Sequence, residues 1–167
     1  LSSDDDQFSE GHTVLITGYD LGMNTSGGFG QRIRVPASWA APLPSGLDPA
    51  TSMRLGTAGL TAGLCVDALL KNGLEVDHGE VLVTGSTGGV GIIAIGILAK
   101  LGFQVVASTG KPDAEQLLKT MGASEIIDRN ELSESSSRPL LAERWAAAVD
   151  VVGGDTLFNV IKGLKYG

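Results

Sequence analysis

Residues 80–102 read EVLVTGSTGGVGIIAIGILAKLG. A short run of β-branched and apolar residues leads into a glycine-rich bend, GSTGGVG (85–91), and a second apolar run follows. A nucleotide pyrophosphate needs backbone N–H groups aimed at it, close approach of the main chain, and a helix N-terminus behind them. Glycine permits all three because it lacks a Cβ. A strand before the bend and an apolar helix after it are the context that this chemistry requires. Laid on G-x-G-x-x-G, the six positions are Ser86, Thr87, Gly88, Gly89, Val90 and Gly91. Serine stands at the first glycine position, where adjacent Gly85 can relax the same bend. Gly88 would let the backbone reach the phosphates, and Gly91 would let the helix pack on the strand. The same residues also suit a tight strand-helix turn that binds nothing.

The sequence on either side of the bend keeps alternating. Strands are expected at 80–84, 104–108, 125–128 and 148–152, and helices at about 89–101, 113–121, 138–146 and 155–165. The strands carry near-continuous apolar runs (VLV, VVA, VDVV), the signature of a strand covered on both faces. The fold class is therefore α/β, a doubly wound parallel sheet. ELSESSSR (131–138) reads as a polar loop. Upstream, Asp48 is a plausible N-cap with Pro49 at the first helical position, and Gly73 a plausible stop. Within that helix Leu60, Leu64 and Ala68 share one face, with Cys65 and Leu69 beside it.

Before residue 45 the pattern is different. Residues 1–12 are polar; TVLITG (13–18) and QRIRVPASWAAPLP (31–44) read as strands around a glycine-rich loop (19–30). Two or three strands do not close an independent core. This β-rich start, and an end just after a helix where a further strand is due, lead to the expectation of a piece of a longer protein.

Composition excludes several classes of function. The chain has 167 residues, a net charge of −7 and a single cysteine. The acidic balance argues against nucleic acid as a partner. Two histidines and one cysteine do not make a structural zinc site, so no metal is expected. A lone cysteine fits a reducing, cytoplasmic setting. The run from Val90 to Ala99 falls short of the roughly 20 residues a membrane span needs, and the acidic start LSSDDDQFSEGH has no apolar signal segment.

The end of the second strand bears on cofactor choice. An NAD-preferring site places Asp or Glu there to accept from the ribose 2′-hydroxyl. Here stand Ser108, Thr109, Gly110 and Lys111, with no carboxylate before Asp113. Hydroxyls, a glycine and a cation suit a 2′-phosphate, which favours NADPH; Lys111 as a solvated surface lysine is the other reading. Arg129, ending the third strand, can stack on adenine, pair with the 2′-phosphate, or form a salt bridge with a neighbour such as Glu131.

TGSTGGVG (84–91) also fits T-G-x-x-x-G-x-G, the short-chain dehydrogenase turn. That family begins with its turn, whereas this one lies behind β-rich sequence and its fourth strand runs into VDVVGGD (149–155). In order, GGFGQRIRVP, GTAGLTAGLCVDAL, VLVTGSTGGVG, VVASTGK and VDVVGG resemble the medium-chain dehydrogenase/reductase superfamily. Within it they resemble the zinc-independent quinone oxidoreductase branch, and most the acryloyl-CoA reductase subgroup. The resemblance implies a Rossmann-type domain over 51–167, truncated at its C-terminal end, behind the tail of a GroES-like β-barrel domain over 1–50. It implies a zinc-independent, NADPH-dependent reductase, a homodimer at full length. Its chemistry would be hydride transfer to the β-carbon of an α,β-unsaturated acyl-CoA, or to a quinone. Carried over by position, Thr87, Gly88, Gly89 and Val90 would hold the pyrophosphate. Thr109, Gly110 and Lys111 would hold the 2′-phosphate. Arg129 replaces a tyrosine common in quinone reductases, and Thr61 would sit near the nicotinamide or else bond a local helix carbonyl. His12 and His78 lack a supporting motif, so no catalytic residue is assigned. A homologue that binds NADP without catalysis is the rival reading.

Overall fold

In the computed structural model, described for residues 7–133 and 139–166, the chain forms two compact units, one up to Thr57 and one from Ala58 onward. In the first, β1 (Val14–Ile16) pairs antiparallel with β2 (Ala40–Pro42), Ile16 opposite Ala40. The strand expected over 31–44 contracts to those three residues, preceded by a 3-10 turn at Ala37–Trp39. Tyr19 stacks flat on Trp39, ring centroids 5.1 Å apart. None of the described residues up to Thr57 is buried, which is what a two-stranded ribbon permits.

Helix α1 (Pro49–Lys71) starts where the sequence places it. Asp48 Oδ1 accepts from the Thr51 amide at 3.0 Å, and Oδ2 from the Thr51 hydroxyl at 2.5 Å. The two bonds hold the Asp48 carboxyl below its ordinary range, the hydroxyl contributing most. The helix ends as Leu74 N–H reaches back to Leu69 O across Gly73. Its backbone breaks at Gly56 (φ 50°, ψ −150°). Beyond the break the buried face is Ala62 and Val66, with Cys65 and Leu69 beside them. Leu60 and Leu64, which share one face with Ala68 by their spacing, are 50% and 59% exposed, and Ala68 is exposed too. GTAGLTAGLCVDALL is apolar on nearly every face, so its spacing does not select one; contact with the sheet does. By length and composition alone this helix is the one, among the described residues, that could cross a membrane. Its backbone is broken at Gly56, and Ala62 and Val66 pack into the sheet core.

The second unit then runs β3 (Val81–Val83), α2 (Gly89–Lys100), β4 (Val105–Thr109), α3 (Glu115–Thr120), β5 (Glu125–Asp128), β6 (Ala147–Val149) and α4 (Gly154–Lys162). The four strands form a parallel sheet in the order β5-β4-β3-β6. The chain steps outward from β3 to β5, then crosses back to place β6 on the other side of β3. Such a reversal opens a crevice at the carboxyl ends of the strands, where ligands of open α/β sheets bind. The apolar runs supply both faces, as the sequence requires. Val81, Val83, Val105 and Ala107 pack with Ala94, Ile95 and Leu98 of α2 and with Leu118 of α3. Leu82 and Val106 point the other way, against Ile127, Trp145 and Val160 of α4.

One expected helix is not formed. Of the loop expected over 131–138, residues 134–138 lie outside the described ones, and 139–146, expected as helix, are extended or irregular. Leu141 N–H donates to Lys162 O at 3.0 Å and Arg144 N–H to Gly163 O at 2.8 Å, while Trp145 bridges to Leu164. The segment thus satisfies carbonyls at the end of α4 and buries Trp145. An isolated helix of eight or nine residues is marginal in water, and these long-range bonds prevail over its alanine- and leucine-rich composition.

Candidate nucleotide-binding cleft

The bend after β3 uses its glycines unequally. Gly85 takes the left-handed conformation (φ 56°), and Gly88 N–H closes the turn on Gly85 O at 2.9 Å. Ser86, at the first glycine position of the motif, is fully buried and donates its hydroxyl to Val83 O at 2.7 Å. The backbone freedom that the motif assigns to its first glycine therefore resides at Gly85. At Gly91 a Cβ would stand 2.5 Å from Gly85 O and 2.8 Å from Ser86 Cα, so only glycine lets α2 start this close to the strand. Gly88 caps α2, and the first amides of the helix, at Gly89, Val90 and Gly91, have no acceptor within it. They present partial positive charge to the crevice.

A second link fixes the crevice from the β6 side. Thr84 Oγ1 donates to Asp150 Oδ1 at 2.6 Å and accepts from Val151 N–H at 3.1 Å, and Asp150 Oδ2 accepts from Gly153 N–H at 2.8 Å. Asp150 is thus a strand-end residue that ties β6 to β3. The sequence has no local sign of this partnership, which spans 66 positions.

Between these features lies a cleft of about 430 Å³, within the range of small-molecule sites. Its walls include Thr84, Gly85 and Thr87 from the bend, Ser108 to Lys111 from the β4 end, and Arg129 and Asn130 beyond β5. Ser133, Val152 and Thr156 complete it. Among the described residues the lining holds two cations, Lys111 and Arg129, and no Asp or Glu. Its electrostatics thus favour an anion. Neither cation forms an ion pair with a described residue. Glu131, the suggested partner of Arg129, instead approaches Arg144 at 3.9 Å and accepts from Asp128 N–H at 3.3 Å. Lys111 N–H donates to Thr109 Oγ1 at 3.1 Å, which fixes the turn out of β4.

Arg129 lies against Gly110. The register of β4 and β5 sets Thr109 opposite Asp128, so the next residues on each strand meet. A Cβ built on Gly110 would fall 2.6 Å from Arg129 Nε and 2.7 Å from its Cδ.

The sequence-predicted residues therefore divide. Thr87, Thr109, Gly110, Lys111 and Arg129 line one cleft. Gly88, Gly89 and Val90 shape the helix start behind it: Gly89 faces Ala58 of α1, and the Val90 side chain packs into the core. Thr61 is half-buried on α1 and is not part of the lining. Thr84, Asn130, Ser133, Val152 and Thr156 were not singled out by sequence; only the Thr84 position, immediately before the glycines, carried any signal. Both histidines serve local turns, His12 Nδ1 accepting from Ser9 N–H and His78 Nδ1 from Glu75 N–H. A larger cavity, about 570 Å³, lies within the first unit. Among the described residues its one titratable side chain is His12, and they offer no comparable anion cradle.

No protein-family model matches the chain, yet its similarity to individual proteins is extensive. Acrylyl-CoA reductase AcuI of Ruegeria pomeroyi is 46% identical over 166 residues, covering 99% of this chain and 50% of that protein. The putative quinone oxidoreductase YhfP of Bacillus subtilis is 45% identical over 167 residues, 100% of this chain and 51% of its own. A crystal structure of YhfP with NAD bound matches with a TM-score of 0.96, covering 99% of this chain and 50% of that one. Escherichia coli YhdH, solved with bound NADPH, is 43% identical and also has a TM-score of 0.96, over 99% of this chain and 51% of that one. The chain spans about half the length of the curated relatives it matches. Along its whole length the chain is thus similar to acrylyl-CoA reductases and quinone oxidoreductases and shares their fold, in agreement with its resemblance to the medium-chain dehydrogenase/reductase superfamily.

Proposed function

We propose that the cleft holds NADPH and that the protein is a zinc-independent reductase acting on an α,β-unsaturated acyl-CoA or a quinone. The observation that carries the cofactor reading is the lining itself, with two cations, four hydroxyl side chains around the β3 and β4 ends and, among the described residues, no carboxylate. A carboxylate there would accept from a ribose 2′-hydroxyl and repel a 2′-phosphate; Lys111 and Arg129 do the reverse. The amides of the bend and the start of α2 suit the pyrophosphate. Thr61 is assigned to the nicotinamide side on resemblance alone. When bound, NADPH would supply the hydride; the residues described here orient it.

YhdH carries NADPH and YhfP carries NAD on the same fold, so the fold alone does not select the cofactor and the side chains at the β4 end must. The test is Lys111→Ala in the full chain, with Kd for NADPH and NADH measured by cofactor fluorescence. NADPH affinity is expected to fall about tenfold or more, the loss of one charge-assisted contact, with far less change for NADH. An equal loss for both cofactors overturns the NADP reading.

The substrate class rests on the resemblance to AcuI and YhfP. One observation favours a second reading, a homologue that binds NADP without turning it over: both histidines are engaged in local turns, and among the described residues the cleft lining holds no carboxyl or imidazole to act as a proton donor. Oxidation of NADPH by the full chain with acryloyl-CoA or a quinone supports the reductase; binding without oxidation for both substrates supports the alternative. We further read residues 1–50 as the tail of a GroES-like barrel and 51–167 as the front of the Rossmann domain. The setting is proposed to be cytoplasmic and the full-length protein a homodimer, which sedimentation tests.

A further inference from the structure

We infer that Gly110 is a positioning residue for cofactor choice: by lacking a Cβ it seats the Arg129 side chain across the end of β4, where the guanidinium forms part of the anion-binding wall. This rests on the NADP reading above and adds to it a residue that need not touch the cofactor.

Gly110 does not adopt the left-handed conformation that would demand glycine, and the three heavy atoms nearest to an added Cβ all belong to Arg129: Nε at 2.6 Å, Cδ at 2.7 Å and Cζ at 3.1 Å. The residue is exposed, so no core packing requires it either. The neighbour that needs the missing Cβ is one flexible side chain. The backbone of Arg129, by contrast, is fixed. Thr109 pairs with Asp128 in the sheet. The turn that begins at Arg129 is held by Asn130 N–H on Asp128 Oδ1 at 2.7 Å and by Asp128 N–H on Glu131 Oε1 at 3.3 Å. A methyl group at position 110 therefore cannot be relieved by moving the Arg129 main chain. The guanidinium swings off the β4 end and leaves the wall, while the Lys111 main chain stays held by its bond to Thr109. Only a ligand bearing the 2′-phosphate reports that loss.

The experiment compares adenosine 2′,5′-bisphosphate with adenosine 5′-monophosphate, which differ by that phosphate alone, binding to the full chain by calorimetry. Gly110→Ala is expected to weaken the bisphosphate about tenfold more than the monophosphate, with Gly110→Ser in the same direction. In an Arg129→Ala background the same glycine substitution is expected to change the ratio by less than about twofold, the error of additivity for independent sites. If Arg129→Ala lowers the wild-type preference for the bisphosphate but Gly110→Ala does not, the seating role is overturned and the NADP reading stands. An equal effect of Gly110→Ala with and without Arg129 also overturns it, since the glycine then acts directly on the ligand. If the wild-type chain does not prefer the bisphosphate at all, both readings fall together.

Discussion

The bend at 85–91 and the strand end at 108–111 both depend on glycine, but different neighbours impose it. At Gly91 the atoms that exclude a side chain are the main chain of Gly85 and Ser86, the turn itself. At Gly110 they belong to Arg129. The first glycine is a condition for the fold and for any nucleotide that rests on the helix start. The second conditions only where one charge is held. The difference separates a glycine that the main chain requires from one that a single side chain requires.

The largest effect should come from the backbone-imposed glycine. Gly91→Ala drives a Cβ against atoms that cannot rotate away, so a loss of about 3 kcal/mol, the upper end of overpacking costs, is expected in denaturant unfolding. NADPH and NADH binding should weaken together; a selective loss would break the comparison. Removing charge comes next. Arg129→Ala should weaken NADPH by about tenfold while leaving unfolding nearly unchanged, measurable by fluorescence titration and thermal melting on one sample. A large stability loss in that variant would mean Arg129 is structural.

Thr84→Val sharpens the contrast from the β6 side. It removes the hydroxyl that joins Asp150 to the Val151 amide and should cost about 2 kcal/mol, since one of those bonds is to a charged group. The NADPH-to-NADH ratio should not move, because this link fixes the crevice without facing a 2′-phosphate. The smallest effect is at the start of α1. Thr51 lowers the Asp48 carboxyl below its ordinary range. The cap therefore contributes at neutral pH, and its contribution is lost as pH falls below about 4 through the lowered folded value. Asp48→Ala should flatten that part of the acid titration of the melting temperature and leave both cofactors unaffected.

The relatives add weight to the same contrast. YhdH with NADPH and YhfP with NAD share the fold at equal TM-score. On the proposed reading, what the bend provides is common to either nucleotide, and what the β4 end provides is free to differ. Exchanging Ser108 to Lys111 for an acidic strand end should therefore invert the cofactor ratio without loss of the fold.

The sequence by itself determined the features that depend on neighbours in the chain. Apolar runs of three or four residues, a bend with glycine where the main chain closes, Asp48 before Pro49, and β5 at 125–128 are all local, and each stands where the residues place it. The doubly wound parallel sheet follows from their alternation. Tertiary structure decided what local propensity leaves open. Residues 139–146 have the composition of a short helix but spend their backbone bonds on the end of α4. Helix α1 is apolar on most sides, and the sheet selects Ala62 and Val66 over Leu60 and Leu64. Thr84 meets Asp150, and Gly110 meets Arg129, only through strand order and register. The physical reason is the same in each case. A bond or clash between residues far apart in sequence leaves no periodic trace, and it exists only once the sheet has brought them together.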